Sequence, residues 1–159
     1  MTVQVRDAAA ADSTFVDVTV TDSWGAPYVV SYGKKYDVRT LPAFIAEQDG
    51  ERVGLLTYDV SDDGFCVVSL DALVRRRGIG SALLSHATDV ARRQGCSRIW
   101  LTTSNELIDA LTFYLRQGMR LIEVVVDGMD AERRLKPEIP THADDGTPIR
   151  DVWVLEKQL

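Results

Sequence analysis

Val74, Arg75, Arg76, Arg77, Gly78, Ile79, Gly80, Ser81, Ala82, Leu83 and Leu84 constrain this chain more than any other stretch, because a basic turn punctuated by glycines runs directly into an amphipathic helix. Apolar residues at Ile79, Ala82, Leu83, Ala87, Val90 and Ala91 keep helical spacing, which puts the turn at a helix N-terminus. Unpaired backbone N–H groups and the helix dipole make such a place attractive to anions. The glycines let a phosphate approach the backbone.

Three patterns share this outline and separate on the residues after the second glycine. A dinucleotide fingerprint requires a third glycine, where Leu83 stands. A Walker-type loop requires Lys followed by Ser or Thr, where Ser81 and Ala82 stand. What is left is Arg-x-x-Gly-x-Gly, and a capping turn with solvated arginines would also satisfy it. A second segment decides between these. Beyond Gly95 comes an apolar run of strand length at 98–103, then Asn105, Ala110, Phe113, Tyr114 and Gly118 along a helical stretch. The two segments, in this order and at this spacing, resemble the paired signatures of the GNAT superfamily of acyl-CoA-dependent N-acetyltransferases, firmly over residues 65–126 and more loosely in the flanks.

The resemblance implies a fold of the α/β (α+β) class. A mixed, mostly antiparallel central sheet of six to seven strands would carry one parallel βαβ crossover, with helices on both faces. It implies acetyl-CoA as co-substrate, with its pantetheine arm in a gap where the two parallel strands splay. The backbone N–H groups of Arg75, Arg76, Arg77, Gly78, Ile79, Gly80 and Ser81 would surround the pyrophosphate, with Leu73 and Val74 as further cofactor-binding residues. Arg76 and Arg77 either touch phosphate or remain solvated. Ala110 and Phe113 belong to the same cofactor face, and Asn105 either holds the cofactor or caps a helix.

Acetyl transfer to an amine poses two proton problems. An alkylammonium of pKa about 10.4 is only about one part in a thousand neutral at pH 7, so it needs a base or a depressing environment. The departing thiolate, of thiol pKa about 8.5, benefits from an acid. On the family pattern Tyr114 directs its hydroxyl at the thioester sulfur and serves as that acid, the other reading being a core aromatic. Many relatives place a Glu base on the strand leading into the phosphate turn. Here the strand, 65–74, has Asp71 as its only carboxylate. Asp71 would act as the base directly, act through water, or bind backbone nearby. This departure leaves open a second function, a non-catalytic acyl-CoA-binding module that keeps the turn and has lost its proton-transfer groups.

A length of 159 residues with 45% hydrophobic content fits one domain, 1–159, with an ample core. A net charge of −6 argues against nucleic-acid binding and isolates the arginine cluster as a local basic spot. No run approaches the ~20 apolar residues of a membrane span, and the start of the chain lacks a signal-peptide core. Cys66 and Cys96 read as reduced thiols, so the expected setting is cytoplasmic. Neither has an evident basic partner, which disfavours an acyl-cysteine route. His86 and His142 lack metal-ligand spacing, and no metal is expected.

Along the chain, 3–6 reads as a strand and 12–20 as a helix with Phe15, Val16 and Val18 as core contacts. The stretch 24–40 reads as a loop with one short element, its Tyr28, Tyr32 and Tyr36 recurring every fourth residue as on a helical face or by coincidence. Asp49 and Gly50 between 42–48 and 51–60 give a hairpin signal. A βαβ unit follows over 65–103, its helix at 79–94, and strands are expected at 120–126 and 152–157. Between these last two lies a long acceptor-side loop, 127–151, with a short helix at 129–135. Acceptor recognition is expected from 24–36 and this loop, whose acidic rim suits a cationic partner. The expected partner is thus a small-molecule or peptide amine, without nucleic acid or membrane, and a homodimer is compatible with the family.

Overall fold

The computed structural model describes residues 2–159. Its centre is a seven-stranded sheet in the order β1 (Gln4–Asp7), β4 (Ala43–Gln48), β5 (Glu51–Ser61), β6 (Gly64–Ala72), β7 (Arg98–Ser104), β9 (Val152–Gln158), β8 (Arg120–Val125). A separate hairpin pairs β2 (Tyr28–Ser31) with β3 (Lys34–Asp37). Every pairing is antiparallel except β6 with β7. The mostly antiparallel sheet with one parallel crossover is therefore as the sequence implies.

Helices cover both faces. On one, α2 (Ile79–Arg93) packs Ile79, Leu83, Leu84, Ala87 and Ala91 into the main core with Phe44, Leu56, Phe65, Val67 and Leu101. Those positions recur at three- and four-residue intervals, the stripe a surface helix buries. α3 (Ile108–Arg116) joins the same core through Leu111, Phe113 and Tyr114. On the other face α1 (Ser13–Trp24) seats Val16 and Val20 against Ile45 and Leu55. Val18 points outward and is 51% exposed, so the inward stripe runs through Val16 and Val20. α4 (Gly128–Leu135) lies within the expected acceptor-side loop. The entry to α1 is pinned by buried Asp12, which takes a bidentate pair from Arg6 (2.7 and 2.9 Å) and a bond from Arg52 Nε (2.7 Å).

The region 24–40 differs from the sequence reading. It holds two short strands, and Tyr28, Tyr32 and Tyr36 fall on one strand, the tight turn and the other strand rather than on a helical face. The strand into the phosphate turn also ends at Ala72 rather than Val74.

Two irregularities shape the functional end of the sheet. The parallel strands register only at Phe65 with Ile99 and Cys66 with Trp100, so they part beyond their first residues. Within β6 the pairing to β5 steps from Thr57 with Ser69 to Tyr58 with Val67, which leaves Val68 as an extra residue. A bulge of this kind shifts every later side chain to the opposite face. Phe65 and Val67 accordingly enter the α2 core, whereas Asp71, at the same parity, lies beside Ser23 and Trp24 at the end of α1.

Candidate active site

The turn between β6 and α2 is exposed from Leu73 to Gly78. Arg76 (φ 60°) and Gly78 (φ 71°) are both left-handed, and Gly78 caps the helix without a side chain. Left-handed residues in such a turn direct successive N–H groups into an anion-binding concavity. A Cβ at Gly78 would meet nothing within 4 Å, so this position is glycine for its backbone conformation. At Gly80 the reason is contact: an added Cβ would fall 3.1 Å from Phe113 Cζ. Arg77 Nη1 is 3.4 Å from Gln48 Oε1. Arg75 and Arg76 are exposed, Ile79 is buried in the core, and Ser81 Oγ accepts from Gln117 Nε2 at 2.8 Å.

Across the opened strands, α3 presents Ala110, Phe113 and Tyr114, all half-buried. The Phe113 and Tyr114 rings meet edge-on at 5.3 Å. Burial pushes the Tyr114 phenol well above its ordinary value, and the nearby Asp71 carboxylate pushes it further the same way. The phenol is therefore a proton donor throughout the neutral range. Asp71 is 9% exposed, and its Oδ2 is buried without a hydrogen-bond partner. Burial raises the Asp71 carboxyl, while the Ser23 and Trp24 side chains draw it partly back. The structure thus brings Asp71 and Tyr114 within electrostatic reach.

Asn105 does not cap α3, whose N-cap is Leu107. Its side chain instead ties down the segment before β9: Nδ2 donates to the Pro148 carbonyl (2.8 Å), and Oδ1 accepts from the amides of Arg150 (2.8 Å) and Asp151 (2.9 Å).

Beside the opened strands lies a cleft of about 420 Å³. The segments expected to recognise the acceptor meet there, Trp24 and Val29 to Ser31 on one wall and α4 with its following loop on the other. Sequence reasoning pointed to an acidic rim here without naming the charged residues that form it. Glu106, Glu132, Lys136 and Glu138 all line it. Glu132 and Lys136 are buried, and with Met129 they repeat at the spacing of one helical face, a signal available in the sequence. Burial raises the Glu132 carboxyl and lowers the Lys136 ammonium. Lys136 Nζ donates to the carbonyls of Trp24 (2.7 Å) and Tyr28 (2.9 Å). Among the described residues no group of three or more His, Cys, Asp or Glu is arranged to hold a metal ion. Burial pushes the Cys66 thiol up to about 12, so it is not a nucleophile at neutral pH.

A mixed sheet opened at its one parallel pair, over a glycine-led helix, places the chain among the acetyltransferases. A family model described as the Acetyltransferase (GNAT) family matches residues 15–119, and the chain belongs to that family. Protein YxbD of Bacillus subtilis (strain 168) is 38% identical over 137 residues, which cover 86% of each chain. The fold is similar to that of the IAA acetyltransferase from Bacillus cereus ATCC 14579, with a TM-score of 0.74 at 19% identity over 99% of this chain and 100% of that one. It is also similar to a GNAT family acetyltransferase from Elizabethkingia anophelis with acetyl-CoA bound, with a TM-score of 0.71 at 13% identity over 99% and 98% of the chains.

Proposed function

We propose that residues 1–159 act as one acetyltransferase domain that moves the acetyl group of acetyl-CoA to an amine held in the cleft, by direct attack with both substrates bound. The observation that carries this reading is a buried carboxylate with an unpartnered oxygen, Asp71, within electrostatic reach of a phenol that burial keeps protonated, Tyr114. The turn from Leu73 to Ser81 fits the co-substrate: it is exposed from Leu73 to Gly78, it has two left-handed residues, and Gly78 has open space around it. Leu73 and Val74, 49% and 37% exposed, offer apolar contact beside it.

Acetyl-CoA supplies an activated acyl group. The chain supplies the proton traffic. Asp71 takes a proton from the incoming ammonium, for which its raised pKa narrows the gap between base and amine. Tyr114 supplies a proton where thiolate develops. Asn105 holds the loop that forms the acceptor wall and so acts at one remove from the cofactor. The free thiols Cys66 and Cys96 support a reducing, cytoplasmic setting.

Initial rates of free-thiol release from acetyl-CoA across a panel of primary amines test the reading. Acceptor-dependent release is expected. Calorimetric binding of CoA without release for any amine would leave the non-catalytic binding module as the function.

A further inference from the structure

The cleft holds more negative charge than acetyl transfer requires. Glu106, Glu132 and Glu138 line it against one ammonium, that of Lys136. Glu138 is already answered: the Tyr28 hydroxyl donates to it, and Lys136 and Lys35 stabilise its charge. Lys136 is committed as well, through its two bonds to the carbonyls of Trp24 and Tyr28. That leaves Glu106 and Glu132. Each has a buried oxygen, Oε1 and Oε2 respectively, without a hydrogen-bond partner. Glu132 is only 5% exposed, and its other oxygen accepts from the Gly33 amide at 3.3 Å, which fixes the orientation of the carboxyl. A buried carboxylate oxygen left without a donor is costly. A ligand ammonium, with three N–H groups and a full charge, removes that cost in a way a neutral group does not.

The geometry points to an acceptor with a second cationic group besides the amine that is acetylated, held by Glu132 with help from Glu106. This inference rests on the cleft being the acceptor site. The reacting nitrogen gives its proton to Asp71 and attacks as a neutral amine, so it is not the charge that answers Glu132. A second ammonium can. Glu132 is therefore the residue that separates diamines and polyamines from simple monoamines.

Putrescine, cadaverine and spermidine, each set against butylamine and pentylamine, test the inference with the CoA-loaded protein in calorimetry and with acetyl-CoA in initial-rate assays. The best diamine or polyamine should bind at least about tenfold tighter than its monoamine, the scale of one charge-assisted hydrogen bond. Glu132→Gln keeps an oxygen for the Gly33 amide and should erase that preference, raising KM for the dication towards that of its monoamine. Equal binding of both amine classes, or a preference that survives Glu132→Gln, would overturn the inference. Loss of binding for both classes together, in a variant that melts earlier, would also overturn it, because Glu132 would then only hold the hairpin turn. Glu132-dependent binding of the dications without acetyl transfer would defeat the acetyltransferase reading and leave the cation site standing.

Discussion

Gly80 lies under the ring of Phe113, so that a Cβ at position 80 would come within 3.1 Å of Cζ. The phosphate turn and α3 are thereby packed on one another, and the glycine answers to the ring as well as to any phosphate. Gly80→Val should weaken CoA binding and also lower Tm, because overpacking of this kind costs about 1–3 kcal/mol. Adding Phe113→Leu should recover much of the stability and little of the affinity. Full recovery of CoA affinity in the double variant, read by calorimetry, would assign Gly80 to packing alone.

Removing the Tyr114 hydroxyl leaves the ring and its edge-on contact with Phe113 in place. Tyr114→Phe should therefore fold normally and bind CoA normally. Acetyl transfer should slow by about 10²- to 10⁴-fold, the usual value of a general acid. A single-turnover experiment reads this step even where product release limits kcat. An undiminished single-turnover rate would reduce Tyr114 to a packing residue.

Asp71 makes opposite demands on stability and activity. Burial raises its carboxyl above the ordinary value of about 3.9, so the folded protein holds that proton more firmly than the unfolded chain. The associated stability is complete below the ordinary carboxylate range and is lost as pH rises through the raised value. Asp71→Asn should consequently raise Tm at neutral pH, with the difference vanishing in acid. The same variant should lose the acid-side rise in kcat/KM and most of its turnover. A pH–rate profile with that limb intact would transfer the base role to another group.

Asn105→Ala removes three hydrogen bonds to the segment 148–151 at once. Two of these bonds are part-buried and the one from Arg150 is exposed, so the loss should cost about 0.5–1.5 kcal/mol for each part-buried bond. The amides of Arg150 and Asp151 should exchange much faster with deuterium, and KM for the amine should rise while CoA affinity holds. A fall in CoA affinity alone would restore Asn105 to the cofactor.

Local chemistry in the sequence was enough where it decides structure by itself. The Asp49–Gly50 turn announced β4 and β5, and the apolar stripe from Ile79 to Ala91 announced α2. The segment 24–40 was opaque because its strands of four residues each rely on distant partners. Ser31 meets Thr102 at 3.1 Å, and the Gly33 amide reaches Glu132. The bulge at Val68 left no mark in the residue pattern either, although it decides which face carries Asp71. The glycine turn and Tyr114 were legible as motifs. Glu132 was marked only by its one-face spacing with Met129 and Lys136, and Glu106 and Glu138 by nothing, since acidic residues outside regular elements ordinarily face water.

β9 lies between β7 and β8, and β8 joins the sheet through it alone. A ribosome delivers β8 well before the strand it must lie against. In a nascent chain that has not yet reached residue 152, β8 has both edges unpaired instead of one, the kind of surface chaperones and proteases inspect. Completion of the sheet is thus timed by the arrival of β9, and a stalled or truncated product would announce itself to quality control by the edges of β7 and β8 it leaves open.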